Sequence, residues 1–311
     1  MRIVFLGSGS FAIPSFEALL AAGHDVLALV TQPDKERGRG RELSPPPMKP
    51  VAEARGVAVM QPRRIKAPEV EASLRALAPD VQVVVAYGQI LPGNVIEIPP
   101  LRTVNVHGSL LPRLRGAAPI QWAIAEGHVE TGVTTMLIDE GLDTGPILLT
   151  RSTPIGPTET TAELGPRLAR LGADLLVLTL AGLRDRSIRP RPQDASQATY
   201  APLIGKEDGR LDWSAPADVL ARRVRAFHPW PGTYTSFAGR GLKVLGAETY
   251  PRKHQASPGS VLEVEKDGVL VACGEGTTLR LLRVQPESRR AMGAFAFATG
   301  ARLSAGRSFE P

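Results

Sequence analysis

A chain of 311 residues, 43% hydrophobic and 22% charged, has the composition of a soluble globular protein and is long enough for two domains of about 100–200 residues each. A single cysteine, Cys273, excludes an internal disulfide and argues against a thiolate metal site, and no apolar stretch approaches the ~18 residues of a membrane span. The net charge of +6 is uneven: residues 1–205 carry 21 Lys+Arg against 20 Asp+Glu (+1) and residues 206–311 carry 16 against 11 (+5), so the second part either meets an anion such as nucleic acid or is basic for solubility alone.

The N-terminal run Arg2–Leu6 reads as a short strand that passes directly into Gly7-Ser8-Gly9, a pattern unlike a signal peptide. A helical pattern over Pro14–Ala22 follows, then strand-like runs at Asp25–Thr31, Val57–Met60, Val81–Ala86 and Thr103–Val106. Near-continuous apolar strands separated by helical stretches predict a parallel-rich sheet covered on both faces, an open α/β Rossmann-like architecture. Gly132–Ile138 and Ile147–Arg151 extend that sheet. The leucines at 164, 168, 171, 175 and 178 make one apolar helical face within Thr160–Leu183. Thr160 and Glu163 have capping-box spacing there, and Gly165-Pro166 is expected to kink the helix or delay its start.

Ser187–Lys206 is rich in proline and small polar residues without a period and reads as a linker. Beyond it, an amphipathic segment at Ala217–Phe227 leads into short strands at Gly232–Phe237, Leu242–Ala247, Ser260–Glu265, Val269–Ala272 and Thr278–Val284. Short strands with glycine-rich turns predict a small β-barrel, of OB-like form. The expected division is a catalytic domain over residues 1–189, a linker over 190–207 and a barrel over 208–311.

Gly7-Ser8-Gly9-Ser10-Phe11-Ala12 matches G-x-G-x-x-G/A, the dinucleotide fingerprint. That mechanism needs an acidic residue closing the second strand to hold a ribose. Here the strand ends in Thr31-Gln32-Pro33-Asp34, with Asp34 late and behind a proline, so a structural tight turn is expected in place of a nicotinamide site.

The chemistry concentrates in VNVHGSLLPRLRGAAPIQ, residues 104–121. Asn105 and His107 are two apart on a strand and so project from the same face. At the carboxyl end of a parallel strand they face the crevice where open α/β sheets bind ligands. An amide N–H beside an imidazole that can carry a proton is what a developing oxyanion needs in acyl transfer. Asp139, Glu140 and Asp143 follow Gly132–Ile138 in a glycine-flanked loop. A carboxylate there would favour the charged imidazole and could relay a proton from an attacking amine; spacing does not say which of the three acts. No G-x-S-x-G elbow, metal-ligand spacing or phosphate loop accompanies them. Asp34–Arg41 (DKERGRGR) is a glycine-spaced basic loop, suited to phosphate or simply solvated.

Taken together these stretches resemble the methionyl-tRNA formyltransferase family over nearly the whole chain. Asn105–Pro112 resembles the N-x-H-x-S-L-L-P signature of enzymes that use 10-formyltetrahydrofolate, and Gly141–Gly145 resembles the companion loop that carries the catalytic aspartate. The resemblance implies Asn105, His107 and Asp143 as the catalytic triad. It implies a folate site formed by Gly88, Gln89, Ile90 and Leu91, by Ser109, Leu110, Leu111 and Pro112, and by Ile138, Asp139 and Leu142. Arg37, Arg39 and Arg41 would contact initiator Met-tRNA, with Arg39 matching the arginine implicated in acceptor-stem recognition. His228–Gly232 and the basic second part resemble the tRNA-binding carboxyl-terminal domain. The family implies transfer of formyl to the methionine amine for translation initiation; the sequence itself leads to the expectation of no metal and no membrane partner, and two domains with a single cysteine suit a cytoplasmic monomer. The alternative acceptor is a small amine such as an amino-sugar nucleotide. Leu114 and the proline-rich Ser44–Pro50 tract depart from the family pattern.

Overall fold

The computed structural model describes residues 1–37 and 42–310. In chain order the first elements are β1 (Arg2–Gly7), α1 (Ile13–Ala21), β2 (Asp25–Val30), β3 (Lys35–Arg37), β4 (Glu42–Ser44), α2 (Met48–Ala54), β5 (Ala58–Met60), α3 (Pro68–Ala76) and β6 (Val81–Val85). There follow α4 (Gly93–Ile96), β7 (Thr103–His107), β8 (Arg115–Gly116), α5 (Pro119–Ala125), β9 (Glu130–Leu137), β10 (Ile147–Pro154), α6 (Thr161–Arg184) and β11 (Tyr200–Ala201). The chain continues through α7 (Ala217–Ala226), β12 (Thr233–Phe237), β13 (Arg240–Tyr250), β14 (Val261–Glu265), β15 (Gly268–Ala272), β16 (Thr278–Pro286), β17 (Met292–Gly293) and α8 (Ala294–Ala301).

Two compact units result. The first comprises Met1–Pro119, Glu130–Pro154 and Gly165–Ala201. Its seven-stranded sheet has the order β10-β9-β7-β6-β1-β2-β5. The strands from β5 to β7 are parallel, and β9 and β10 are antiparallel additions at one edge. The central strands are mostly apolar because both faces are covered: Ile3, Phe5, Val81, Val83, Val85, Val104 and Val106 share one core with Phe16, Leu19, Leu176 and Leu180. On the opposite face Val4, Leu6, Val30 and Val84 pack with Leu74, Leu91 and Val95.

The long helix α6 backs the strand of interest through a glycine. A Cβ at Gly172 would lie 2.8 Å from Val106 Cγ1, so the small residue permits the close approach. Thr179 Oγ1 lies 2.8 Å from Thr135 Oγ1 on β9. Pro166 lies inside this helix, which starts at Thr161 in spite of it; in the early turns a proline removes little of the hydrogen-bond ladder. Thr160 and Glu163 form half of the expected capping box: the Thr160 N–H and Oγ1–H both donate to Glu163 Oε2, at 2.9 and 2.8 Å, while the Glu163 N–H donates to the Thr160 carbonyl at 3.1 Å in place of the hydroxyl.

Residues 185–201 are largely irregular but pinned along the first unit. Arg191 and Ile147 exchange both backbone hydrogen bonds at 2.8 Å, and β11 pairs in parallel with β8.

The second unit comprises Ile120–Val129, Ile155–Leu164 and the chain from Pro202 on. It carries an antiparallel sheet of order β12-β13-β16-β15-β14, with β17 paired to β16. Leu220, Ala221 and Val224 of α7 enter its core with Trp213, Val271, Leu281 and Phe309. Isolated bridges join Ser236 to Glu310 and Ser260 to Ser308, so one short segment touches strand β12 and the entry to β14. Cys273 is buried in this core and its thiol is pushed up to about 12 by desolvation, leaving it a packing residue.

Candidate active site

His107 ends β7, and Asn105 precedes it on the same face of the strand. Asn105 pairs with Val84 of β6 on one side and Met136 of β9 on the other, which fixes its backbone centrally in the sheet. Its side chain is half-buried and, among the described residues, has no hydrogen-bonding partner. His107 is buried, 6% exposed, with Nε2 at 2.9 Å from the Leu114 carbonyl oxygen. A carbonyl only accepts, so Nε2 carries a proton and donates. Nδ1 faces Oδ2 of Asp143 at 3.6 Å, too long for a hydrogen bond and short enough for an ion pair once the ring is charged.

Asp143 reaches this position by an indirect path. β9 runs antiparallel to β7, with Leu137 opposite Val104, so it ends beside the beginning of β7, away from His107. The loop after it must therefore fold back along the strand. Asp143 turns in the left-handed region at φ 52°, which aspartate tolerates better than most residues. Gly145 lets the returning chain touch the departing one, since a Cβ there would lie 1.8 Å from the Leu137 carbonyl oxygen. Asp143 Oδ2 accepts the Gly116 N–H at 2.8 Å, and Oδ1 accepts no hydrogen bond among the described residues. Asp139 is tied into its own turn, accepting from Gly141 N–H at 3.1 Å and Thr144 Oγ1–H at 2.7 Å. Glu140 is exposed. Of the three carboxylates, Asp143 is the one that forms an ion-pair contact with the imidazole.

The turn after His107 is built inward. Ser109 is buried and its hydroxyl donates to the Arg113 carbonyl at 2.6 Å, while Thr134 Oγ1 donates to Ser109 O at 2.7 Å and accepts from Leu111 N–H at 3.1 Å. Leu110 lies against Gly132, Leu111 packs with Met136 and Ile147, and Leu111-Pro112 is a cis peptide. Leu114, the departure noted in the sequence, sits buried at φ 57° and offers its carbonyl to His107.

The Ile138–Leu142 loop reaches the start of α4, just after the Gly88–Leu91 loop: a Cβ at Gly93 would lie 2.7 Å from Glu140 Oε1. Leu91 is core, and Ile138 donates its N–H to the Thr103 carbonyl at 2.8 Å. Gln89 binds the neighbouring chain, accepting from Ile65 N–H at 2.9 Å. Ile90 and Leu142 stand out at 87% and 58% exposed, two apolar side chains on solvent-facing loops. A cleft of about 620 Å³ opens beside Gln89 and Ile90, with Arg64 and Lys66 in its lining.

The residues that sequence reasoning missed lie behind the Asp143 loop. Gln193 and Arg115 contact each other there, and Gln193 also contacts the loop backbone. No local pattern marks Gln193, which is 50 residues from Asp143 in an aperiodic segment. The glycine turn after β1 closes on its own chain: the N–H groups of Ser8 and Gly9 donate to the Ala86 carbonyl at 3.2 and 3.4 Å. Those amides are therefore engaged and do not cradle a pyrophosphate. Arg39 and Arg41 lie outside the described residues, as does the side chain of Arg37. Among the described residues no cluster of His, Cys, Asp or Glu could hold a metal ion, and no helix is long and apolar enough to cross a membrane.

The profile of the formyl transferase family matches residues 1–180, and that of the formyl transferase C-terminal domain matches residues 203–302. The chain is 52% identical to the methionyl-tRNA formyltransferase of Solibacter usitatus over 98% of its own length and 97% of that protein's. The chain belongs to the methionyl-tRNA formyltransferase family. More distant likeness extends to the fold of other formyltransferases. A sugar 3N-formyl transferase, WlaRD, solved in the presence of dTDP and 5-N-formyl-THF, superposes with a TM-score of 0.68 at 16% identity, over 93% of this chain and 99% of that one. HypX from Aquifex aeolicus, solved in complex with tetrahydrofolic acid, superposes at 0.64 and 18% identity over 96% of this chain, which spans about half, 47%, of HypX.

Proposed function

We propose that the chain transfers the formyl group of 10-formyltetrahydrofolate to the amino group of methionine on initiator Met-tRNA, with Asn105, His107 and Asp143 as the catalytic residues. The observation that carries this reading is the ion-pair contact of His107 with Asp143, two residues beyond an Asn105 side chain unpartnered among the described residues, in a chain 52% identical nearly end to end with a methionyl-tRNA formyltransferase. When bound, 10-formyltetrahydrofolate supplies an activated formyl group open to attack by a neutral amine.

The chain's residues divide the remaining work. The Asn105 amide, without a partner among the described residues, donates to the formyl oxygen as charge develops there. His107 supplies a second donor at Nδ1, the ring nitrogen without a hydrogen bond among the described residues. Asp143 faces that donor through Oδ2 at 3.6 Å, and its Oδ1, which accepts no hydrogen bond among the described residues, takes the proton that the amine loses. Exposed Ile90 and Leu142 suit the flat apolar faces of a pterin, and Arg64 and Lys66 suit the carboxylates of a folate tail.

The finer architecture belongs to the same reading. The second unit acts as an OB-like tRNA-binding barrel over residues 208–311, a reading supported by its antiparallel sheet and by the segment that bridges to Ser236 and Ser260. Residues 1–189 act as the catalytic domain and 190–207 as the connection. Arg37, Arg39 and Arg41 contact the acceptor stem, and the enzyme works as a monomer in the cytoplasm, where translation supplies its substrate.

The test is a formyl-transfer assay with 10-formyltetrahydrofolate and three acceptors in parallel: charged initiator Met-tRNA, glycinamide ribonucleotide and an amino-sugar nucleotide. Product on Met-tRNA alone is expected. Product on a small amine alone would keep the site chemistry and overturn the acceptor.

A further inference from the structure

The side chain of Gln193 joins two things that the sequence keeps apart. Its Nε2 donates to the backbone carbonyls of Asp143 and Gly145, at 2.8 and 2.7 Å, and its Oε1 accepts from Arg115 Nε and Nη2 at 3.1 and 2.8 Å. The orientation of this amide is fixed by its partners, because a guanidinium can only donate and a carbonyl can only accept. Arg115 is itself held: it is 4% exposed, its N–H donates to Thr199 O at 2.8 Å, and it adjoins Gly116, whose N–H meets Asp143 Oδ2. The Asp143 turn is thus gripped at its carboxylate by Gly116 and at its backbone by Gln193. Without the second grip, a left-handed turn at a non-glycine residue has alternatives open to it.

We infer that Gln193, aimed by Arg115, is a positioning residue for the reaction: it holds the Asp143–Gly145 turn so that the carboxylate faces His107. The inference rests on the proposed role of Asp143. It adds that the aperiodic strap after α6, clamped at Arg191 and at Tyr200–Ala201, works on the site as well as connecting.

The test uses the full-length protein and compares Gln193→Glu, Gln193→Met and Asp143→Asn. Glutamate keeps an acceptor for Arg115, so the strap stays anchored, but it has no donor for the two carbonyls and sets a carboxylate against them. A role confined to anchoring Arg115 would therefore survive Gln193→Glu. The expected result is a fall in kcat of about tenfold to a hundredfold, the scale of a sub-ångström to 1 Å misplacement. KM for 10-formyltetrahydrofolate and for Met-tRNA should stay within about twofold, and the thermal midpoint should stay near that of the unchanged protein. Gln193→Met, of similar length, lacks the donor and also the acceptor for Arg115, so a fall in kcat larger than its loss of stability explains decides the matter if the glutamate variant does not fold. Unchanged kcat at position 193 with an inactive Asp143→Asn overturns the inference alone, as does a rise in KM or a loss of stability at constant kcat. A fully active Asp143→Asn overturns the site reading beneath it.

Discussion

The backbone N–H of Gly116 points at Oδ2 of Asp143 from 2.8 Å, and the glycine can do so only because it lacks a side chain. Its φ is 116°, and a Cβ there would lie 2.7 Å from the Ala201 carbonyl oxygen. Gly116→Ala should therefore part β8 from β11 and turn the donor away from the carboxylate. A destabilisation of about 1–3 kcal/mol is expected from the strained backbone, read from the urea midpoint, together with a loss of kcat larger than the stability change explains. Unchanged kcat would separate this amide from the reaction.

At the proposed reacting centre, Asn105→Ala and His107→Ala each remove one proposed donor. A loss of ~10²–10³ in kcat is expected for either. Asp143→Asn keeps an oxygen for Gly116 but removes the charge that faces His107 Nδ1, so kcat should fall with little change in stability. Steady-state kinetics over a pH series would expose any variant that retains full activity.

Gly172 offers a test of how the strand is backed. In a helix interior alanine is favoured over glycine by about 1 kcal/mol. The added methyl, however, would lie 2.8 Å from Val106 Cγ1, a branched and stiff neighbour. Overpacking of this kind typically costs about 1–3 kcal/mol, so Gly172→Ala should destabilise despite its better propensity. Val106→Ala in the same chain should recover part of the loss. A denaturant double-mutant cycle without coupling would refute the contact.

The capping box carries a pH signature. The backbone N–H of Thr160 and then its hydroxyl hold the Glu163 carboxyl below its usual range. A depressed carboxylate contributes stability that is present above its unfolded value, about 4.3, and is lost as pH falls through the folded value. Glu163→Gln should thus be less stable than the unchanged protein at pH 7 and equal to it in strong acid. A difference that persists below both values would point to packing in place of charge.

Arg39→Ala is expected to weaken use of Met-tRNA while leaving 10-formyltetrahydrofolate binding nearly intact. Affinity for Met-tRNA should also fall steeply with salt, because phosphate contacts release counterions. A flat response between about 50 and 200 mM salt would indicate an acceptor without a phosphate chain.

How much of this was legible depends on whether a local pattern carried it. The parallel strands were readable because burial on both faces leaves nearly continuous apolar runs such as VQVVV at 81–85, where Gln82 is the one polar residue. Asn105 and His107 were readable as a pair because strand side chains alternate. Asp143 could not be chosen from Asp139 and Glu140 by spacing, since the choice is made by the fold-back of the loop and by the turn that ties up Asp139. Gln193 carried no signal at all, being defined by tertiary partners at positions 115, 143 and 145. Helix α8, Ala294–Ala301, also escaped notice, since AFAFATGA alternates like a strand yet buries Ala294 and Ala298 at helical spacing.

The contacts of Ser308 and Glu310 with Ser260 and Ser236 bear on the fate of a shortened chain. Unpaired strand edges are templates for pairing with another molecule. A protein cleaved before Ser308 would bare backbone at two places on the second unit at once, each freed of an intramolecular partner. Loss of those few residues should therefore be felt first as self-association, before any loss of helix content, and limited proteolysis near Ser304–Arg307 would convert a well-behaved enzyme into an aggregating one.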